Sequence, residues 1–218
     1  FLEWRLAYDD GVRAGRIDKF VTLVDGHTAL YQKHVLTGRG PMSAGHHAML
    51  KFPDVPGSGA ISTSRLVQAQ VFPGEFEMPE NRGYSALQPG AVFSSLERVP
   101  LRAGGHTDLS RFPARKGFED LVMLTADATR PLAWTAVAFP RERYVWFSLR
   151  DPRTLRHTVF WISNGGRHYP PWNGRHVSVM GLEDVTSYFH CGLAESARPN
   201  PLNRRGITDI VITDVLGS

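Results

Sequence analysis

Apolar and polar residues alternate along most of this chain, which is the pattern of β-strands that bury one face. The segments FLEWRLAYDDGVR and FVTLVDGHTALYQKHVLTG each indicate two strands around an Asp-Gly turn. Further strands are indicated by ISTSRLVQAQVF, LVMLTADATRPLAWTAVAFPRERYVWFSLRD, HTVFWISNGGR, HVSVMGLED and GITDIVITDVLG. Strands at this spacing predict an all-β chain, folded as one large antiparallel β-sandwich domain over residues 1–218.

Departures from the strand pattern are few. Two short helices are predicted, around residues 91–98 and 185–194, and GGHTDLSRFPARKGF is predicted to be the longest loop. The 21 glycines and 15 prolines among the 218 residues favour turns over long helices. No run of about 18 apolar residues occurs, so the sequence predicts no membrane partner.

Composition excludes several classes of protein. Hydrophobic residues make up 42% and charged residues 21%, as in ordinary soluble domains. The single cysteine, Cys191, excludes a disulfide framework within the chain and a cysteine-rich zinc site. The net charge is +4, but the arginines are scattered and form no basic block, so we expect no nucleic-acid partner.

The start of the chain carries neither Met nor the parts of a signal peptide, and it opens directly in a strand pattern. We therefore expect that an N-terminal portion is missing and that the protein is cytoplasmic.

The stretch VSVMGLEDVTSYFHCGL contains a carboxylate in an unusual place. The strand period of two puts Glu183 on the same face as Val177 and Val179. An ionised group on an apolar face loses solvation, which raises the pKa of a carboxyl group. A raised pKa suits a general base.

Two adjacent histidines lie in GPMSAGHHAMLKFPD. His46 and His47 point to opposite faces of a strand, so they cannot bind one metal without a bend, and the histidine spacing of a cupin-type metal site is missing. A hydrogen-bonded structural role is the alternative for either histidine.

Acidic and aromatic residues supply further candidates. Glu119 and Asp120 begin an apolar strand, where paired acids either face solvent or belong to a site. Trp161 and Trp172 could stack against a sugar, although tryptophan in a sandwich is usually part of the core.

Taken in order, three motifs resemble those of the galactose mutarotase-like (aldose 1-epimerase) superfamily. The run HHAMLKF, residues 46–52, is similar to the motif of the catalytic histidine, with His47 in its place. Gly117-Phe118-Glu119 is similar to the glycine–aromatic–acid marker, with glutamate for the usual aspartate. VMGLE, residues 179–183, resembles the late strand that ends in the catalytic glutamate. The continuation after Glu183 differs, which indicates a divergent branch.

The resemblance implies a β-supersandwich that acts on a small-molecule sugar. Glu183 would be the general base for the anomeric hydroxyl, and His47 the general acid for the ring oxygen. The substrate-binding residues would be Glu119, Asp120, His46 and Trp161. No metal and no organic cofactor would be needed, and the oligomeric state stays open.

Other functions fit the same residues. The family's N-terminal portion carries an arginine and a histidine that contact the sugar, and neither matches a residue of this chain. Their lack of a match favours a non-catalytic carbohydrate-binding protein, in which His34 or Arg39 could substitute for them. A glycoside hydrolase or lyase would use Glu119 and Glu183, and hydrolases hold such carboxyl groups about 5–5.5 or 6.5–9.5 Å apart. Arginines near the glutamate strand could instead hold a sugar phosphate; these are Arg167 and Arg175.

Overall fold

A computed structural model describes residues 1–9, 15–38 and 42–207, and these described residues fall into two compact units, one up to residue 42 and one over residues 43–207. The first unit is an antiparallel sheet in the order β1 (Leu2–Asp9), β2 (Gly15–Leu23), β3 (Leu30–Gly38). A turn at Asp25-Gly26 joins β2 to β3, as predicted, with Gly26 at a φ of +77°. The other predicted Asp-Gly turn lies outside the described residues. The prediction of one domain over residues 1–218 stays a prediction.

The second unit is built on a six-stranded sheet in which all neighbouring strands are antiparallel. From edge to edge the strands are β4 (Gly45–Lys51), β15 (Val179–Val185), β14 (His157–Asn164), β11 (Phe118–Ala126), β6 (Leu66–Val71) and β7 (Val92–Phe93).

A four-stranded antiparallel sheet completes the second unit, in the order β10 (Arg111–Phe112), β5 (Gly59–Thr63), β12 (Ala133–Phe139) and β13 (Tyr144–Arg150). A small hairpin pairs β8 (Val99–Pro100) with β9 (His106–Thr107). One α-helix, α1 (Gly192–Ala197), and 3₁₀ turns at Pro79–Asn81 and Asn203–Arg205 are the helical segments among the described residues. None of these helices is long and apolar enough to cross a membrane.

Both predicted helices differ from the structure. The helix predicted at 91–98 is wrong, because Val92 and Phe93 pair with β6 and Phe93 is buried in the core. The second begins at Gly192 rather than at Val185, because Val185 remains paired in β15. The predicted long loop contains β9 and β10.

The two large sheets face each other across one hydrophobic core. Phe52, Phe139 and Phe160 are at most 1% exposed, and Phe52 contacts Phe139 with ring centroids 5.0 Å apart. Apolar residues of both sheets complete this core, among them Val71, Val122, Leu124, Ile162, Met180, Leu182, Ile61, Phe112 and Val137. Its burial is the main stabilising contribution to the unit. The predicted all-β antiparallel sandwich is therefore confirmed.

A buried ion pair links the two sheets inside the sandwich. Arg150 of β13 and Asp184 of β15 have side chains only 3% and 4% exposed, and Nη1 lies 3.0 Å from Oδ1. Thr158 donates to the same carboxylate at 2.7 Å, and Ser148 donates to its other oxygen. Because each buried charge has partners, the polar cluster is tolerated within the apolar core.

The strand period gives the six-stranded sheet two distinct faces. Even-numbered residues of β4, β14 and β15, such as Leu50, Phe160 and Leu182, face the core. Odd-numbered residues face the other side. Residues of the C-terminal segment cover part of that side, since Phe189 N donates to Met123 Sδ at 3.4 Å and Arg205 Nη1 donates to Gln68 Oε1 at 3.1 Å.

Candidate functional site

The site lies on the odd-numbered side of β4, β15 and β14. Antiparallel pairing arranges this side in three rows, and neighbouring rows are about 7 Å apart along the strands. The rows are His47–Glu183–Val159, Met49–Gly181–Trp161 and Lys51–Val179–Ser163, and Glu119 of β11 extends the last of them. Four of the predicted site residues, His47, Glu183, Trp161 and Glu119, are therefore on one face.

His47 and Glu183 form the candidate acid–base pair. They are directly opposite each other on β4 and β15, and His47 Nε2 lies 3.2 Å from Glu183 Oε1. The side chains are 47% and 18% exposed, so solvent reaches both. Burial raises the pKa of Glu183, and the neighbouring His47 acts in the opposite direction. The pair is in direct contact, with no sugar-sized gap between the two side chains.

Gly181 leaves the space that this pair occupies. A Cβ atom at this position would lie 2.9 Å from His47 Cε1 and 3.0 Å from Glu183 Oε1, and 3.3 Å from Trp161 Cβ. A larger residue would push the pair and the indole apart. The absence of a side chain at this position therefore allows them to meet.

Trp161 lies at the centre of the site and is partly exposed. The ring of His47 meets its edge at a centroid distance of 6.1 Å, while His176 lies nearly parallel to it at 5.5 Å. Arg167 places its Cζ atom 5.2 Å from the indole centroid and also 5.2 Å from that of Trp172. These contacts fix the indole in one orientation, with the guanidinium held by cation–π attraction.

Arg167 is held by carboxylates as well as by rings. Its side chain is 16% exposed, and its Nε donates to Glu77 Oε1 at 2.5 Å. Tyr169 donates its hydroxyl to Glu77 Oε2 at 3.1 Å, and Glu119 Oε2 is 4.0 Å from Arg167 Nε. The buried carboxylate of Glu77 thus has an ionic partner and a neutral donor, which satisfies its charge.

Glu119 is fully buried beneath Trp161. Its Oε1 accepts from Ser163 Oγ at 2.8 Å and from Gly166 N at 3.3 Å, and its Oε2 accepts from Trp161 Nε1 at 3.2 Å. Burial raises the pKa of Glu119 to about 7 against the opposing effects of the Ser163 hydrogen bond and the charge of Arg167. With no exposed surface, this carboxylate holds the indole and does not reach a sugar directly.

His176 is linked to the same carboxylate through Ser163. Its Nδ1 lies 2.5 Å from Ser163 Oγ, and its ring is also 4.9 Å from that of Trp172. Burial lowers the pKa of His176, and the positive charges of Arg167 and Lys51 lower it further. The imidazole is therefore neutral near pH 7.

Two of the sequence candidates are on the other face. Asp120 is 2% exposed and accepts backbone hydrogen bonds from Ala86 N at 3.0 Å and Leu87 N at 2.9 Å, while burial raises its pKa to about 6. His46 shares the core-facing side of β4, opposite Asp184. Asp120 follows Glu119 and His46 precedes His47, and neighbouring residues on a strand point to opposite faces. The structure therefore does not bring Asp120 or His46 to the site.

The carboxylate pair of the hydrolase hypothesis is widely separated. Glu119 and Glu183 are two strands and four residues apart, which corresponds to about 16 Å between their Cα atoms. Trp161 lies between them. Of the two arginines considered for a phosphate, Arg167 belongs to the site and Arg175 is exposed.

Four residues of the site were not identified from the sequence, namely Glu77, Ser163, Tyr169 and His176. Ser163 could have been found, because it follows Trp161 by two residues on the same strand. Glu77, Tyr169 and His176 lie outside strands, where no periodicity indicates their direction. Among the residues that the structure describes, no group of three or more His, Cys, Asp or Glu side chains could hold a metal ion.

Comparison with known proteins identifies the fold. No protein-family model and no curated protein matches the chain. Among solved structures it is similar to a putative aldose 1-epimerase from Klebsiella pneumoniae subsp. pneumoniae, with a TM-score of 0.53 and 14% sequence identity. The match covers 85% of this chain and 42% of that one, so the chain spans less than half the length of its structural neighbour. At this identity the similarity shows a shared fold.

Proposed function

We propose that the chain binds a sugar beside Trp161 and interconverts its anomers by acid–base catalysis with His47 and Glu183. The observation that carries the proposal is the 3.2 Å contact between these two side chains next to a partly exposed indole. The fold supports it, since the structural neighbour is named for this reaction. The aromatic surface suits the C–H face of a pyranose.

The reaction needs one group to remove a proton and another to supply one. Glu183, with its pKa raised by burial, would accept the proton of the anomeric hydroxyl. His47 would protonate the ring oxygen, the ring would open, and closure after rotation would exchange the two roles. Because His47 is 47% exposed, it has room to swing away from Glu183 as the sugar enters, so that the two groups bracket the ring.

Polarimetry tests this proposal. Freshly dissolved α-D-glucose or α-D-galactose should reach its equilibrium rotation faster with the protein than without it. Glu183→Gln should lower the acceleration by about 10²–10⁴-fold, the usual contribution of positioned proton transfer. Glu195→Gln, an exposed change in α1, is the matched control and should keep the activity. Equal rates with and without the protein, or a fully active Glu183→Gln, would refute the proposal.

A second function, sugar binding without catalysis, is favoured by one specific observation. His47 and Glu183 contact each other directly, which leaves no gap for a ring between them in this conformation. If this function is right, calorimetry with a panel of sugars should give saturable binding while polarimetry shows no acceleration. Saturable binding that Trp161→Ala abolishes, with no acceleration by the unmodified protein, would support it over the isomerase.

A further inference from the structure

We propose that Glu119, Ser163 and His176 form a proton relay that sets whether Nε2 of His176 donates or accepts a hydrogen bond at the surface beside Trp161. The role toward a sugar rests on the proposed function, whereas the relay itself follows from the hydrogen bonds. The sequence motifs gave no role to Ser163 or His176.

The hydroxyl of Ser163 has a single hydrogen and two close partners. Its Oγ lies 2.8 Å from Glu119 Oε1 and 2.5 Å from His176 Nδ1. A third contact, to the backbone carbonyl oxygen of His176, is 3.4 Å and too long to compete. The hydroxyl can donate in only one of the two short hydrogen bonds, so the other partner must supply the hydrogen for the second.

Two arrangements satisfy both hydrogen bonds. If Glu119 is ionised, Ser163 donates to it and Nδ1–H of His176 donates to Ser163, which leaves Nε2 as a proton acceptor. If Glu119 is protonated, it donates to Ser163, Ser163 donates to Nδ1, and the ring hydrogen lies on Nε2. The protonation state of Glu119 therefore sets the tautomer of His176.

The surroundings favour a switch near neutral pH. Burial raises the pKa of Glu119 to about 7, and burial with the charges of Arg167 and Lys51 lowers the pKa of His176. The imidazole is thus mostly neutral at the midpoint of the carboxyl titration. Of the other groups packed here, Trp161 and Trp172 carry no charge, and Glu77 is already bonded to Arg167.

His176 lies on the other side of Trp161 from His47 and Glu183. The row of Ser163 and the row of Glu183 are four residues apart on β14 and β15, about 13 Å, with Trp161 on the row between them. Within the described part of the chain, Nδ1 is the only nitrogen of the His176 ring with a hydrogen bond, so Nε2 can bond to a ligand that lies against Trp161.

The proton transfers balance along this chain of groups. As the pH falls, Nε2 of His176 takes a proton from solvent, Nδ1 releases its proton to Ser163 Oγ, and the serine hydroxyl passes its own proton to Glu119 Oε1. The three groups together gain one proton, and the steps reverse as the pH rises. Nε2–H would then donate to an oxygen of a bound sugar below the midpoint, and bare Nε2 would accept from a sugar hydroxyl above it, with no bond of the sugar broken.

Nuclear magnetic resonance of the histidine ring nitrogens tests the relay without any substrate. In the full chain, the tautomer of His176 should switch with a midpoint near pH 7, from Nε2–H below it to Nδ1–H above it. Ser163→Ala should abolish the switch, and Glu119→Gln should hold one tautomer from pH 6.5 to 8.5. Thr125→Val removes the hydroxyl at Nδ1 of the unrelated His157 and should leave the His176 switch unchanged.

Each outcome decides a separate part of the inference. No tautomer switch in the unmodified protein, or the same switch in Ser163→Ala, would overturn the relay. If the protein binds a sugar, Ser163→Ala should weaken the binding about 5-fold, the contribution of one hydrogen bond, and flatten the pH dependence of the dissociation constant around pH 7. An unchanged dissociation constant and pH dependence would overturn the role toward a sugar. If no sugar binds, the proposed function fails, and the tautomer measurement still decides the relay.

Discussion

Replacing Glu119 by glutamine should remove a large pH dependence from the stability of the protein. The pKa of this carboxyl group rises from its ordinary 4.5 to about 7 in the folded state, because it is buried. Between these values the folded protein binds more protons than the unfolded chain, so the free energy of unfolding falls as the pH rises. At about 1.4 kcal/mol per pH unit, the loss amounts to roughly 3 kcal/mol.

Glutamine is neutral at every pH and therefore lacks this dependence. We expect the free energy of unfolding of Glu119→Gln, relative to the unmodified protein, to rise by about 2–3 kcal/mol between pH 5 and pH 8. Urea titrations at four pH values, followed by tryptophan fluorescence, measure this difference directly. The neighbouring Asp120, whose pKa is also raised by burial, contributes equally to both proteins and cancels.

Glu97→Gln provides the control, because Glu97 is exposed and far from the site in sequence. If the unfolding free energies of the unmodified protein and of Glu119→Gln run parallel from pH 5 to pH 8, Glu119 is not a buried carboxyl group that ionises near neutrality. The relay would then have no group that switches near neutral pH.

Three other substitutions test the packing around the site. Gly181→Ala adds a methyl group 2.9 Å from the ring of His47; it should destabilise the protein by about 1–3 kcal/mol and separate the acid–base pair, as seen in urea titrations and polarimetry. Asp184→Ala leaves the buried Arg150 without its partner and should cost about 3–5 kcal/mol of unfolding free energy, so a loss below 1 kcal/mol would contradict the ion pair. Phe52→Ala opens a cavity between the sheets and should lower stability by about 3–5 kcal/mol in the same titrations.

The alternation of the sequence was sufficient to predict the sandwich and part of the site. Glu183 shares a face with Val179, as its spacing requires, but Val177 lies before the strand, since Ser178 has a φ of +55° and interrupts the pattern. The face of His46 was also available from the sequence, because two apolar residues follow it at even spacing: Phe52 lies in the core, and Leu50 packs against it.

Other parts of the site depend on contacts that alternation does not specify. Glu119 and Asp120 begin a strand that is buried on both faces, so its pattern does not tell which carboxylate turns toward the site. Arg167, His176 and Glu77 lie outside strands and reach the site through contacts between residues far apart in sequence, such as the ion pair between residues 77 and 167. Contacts of this kind are determined by the whole fold rather than by local periodicity.

The three rows on β4, β15 and β14 also define how this surface could be re-engineered. Odd positions make up a three-by-three grid, and the even position beside each one serves the interior, as Asp184 does beside Glu183. A library that varies positions 47, 49 and 161 would sample new ligand specificities over an unchanged scaffold. Deleting one residue of β15 before Glu183 would instead exchange the faces of Glu183 and Asp184. Asp184, which pairs with Arg150 between the sheets, would turn to the surface, and Glu183 would turn into the core. Substitutions can therefore alter this surface, whereas an insertion or deletion in its strands would disrupt it.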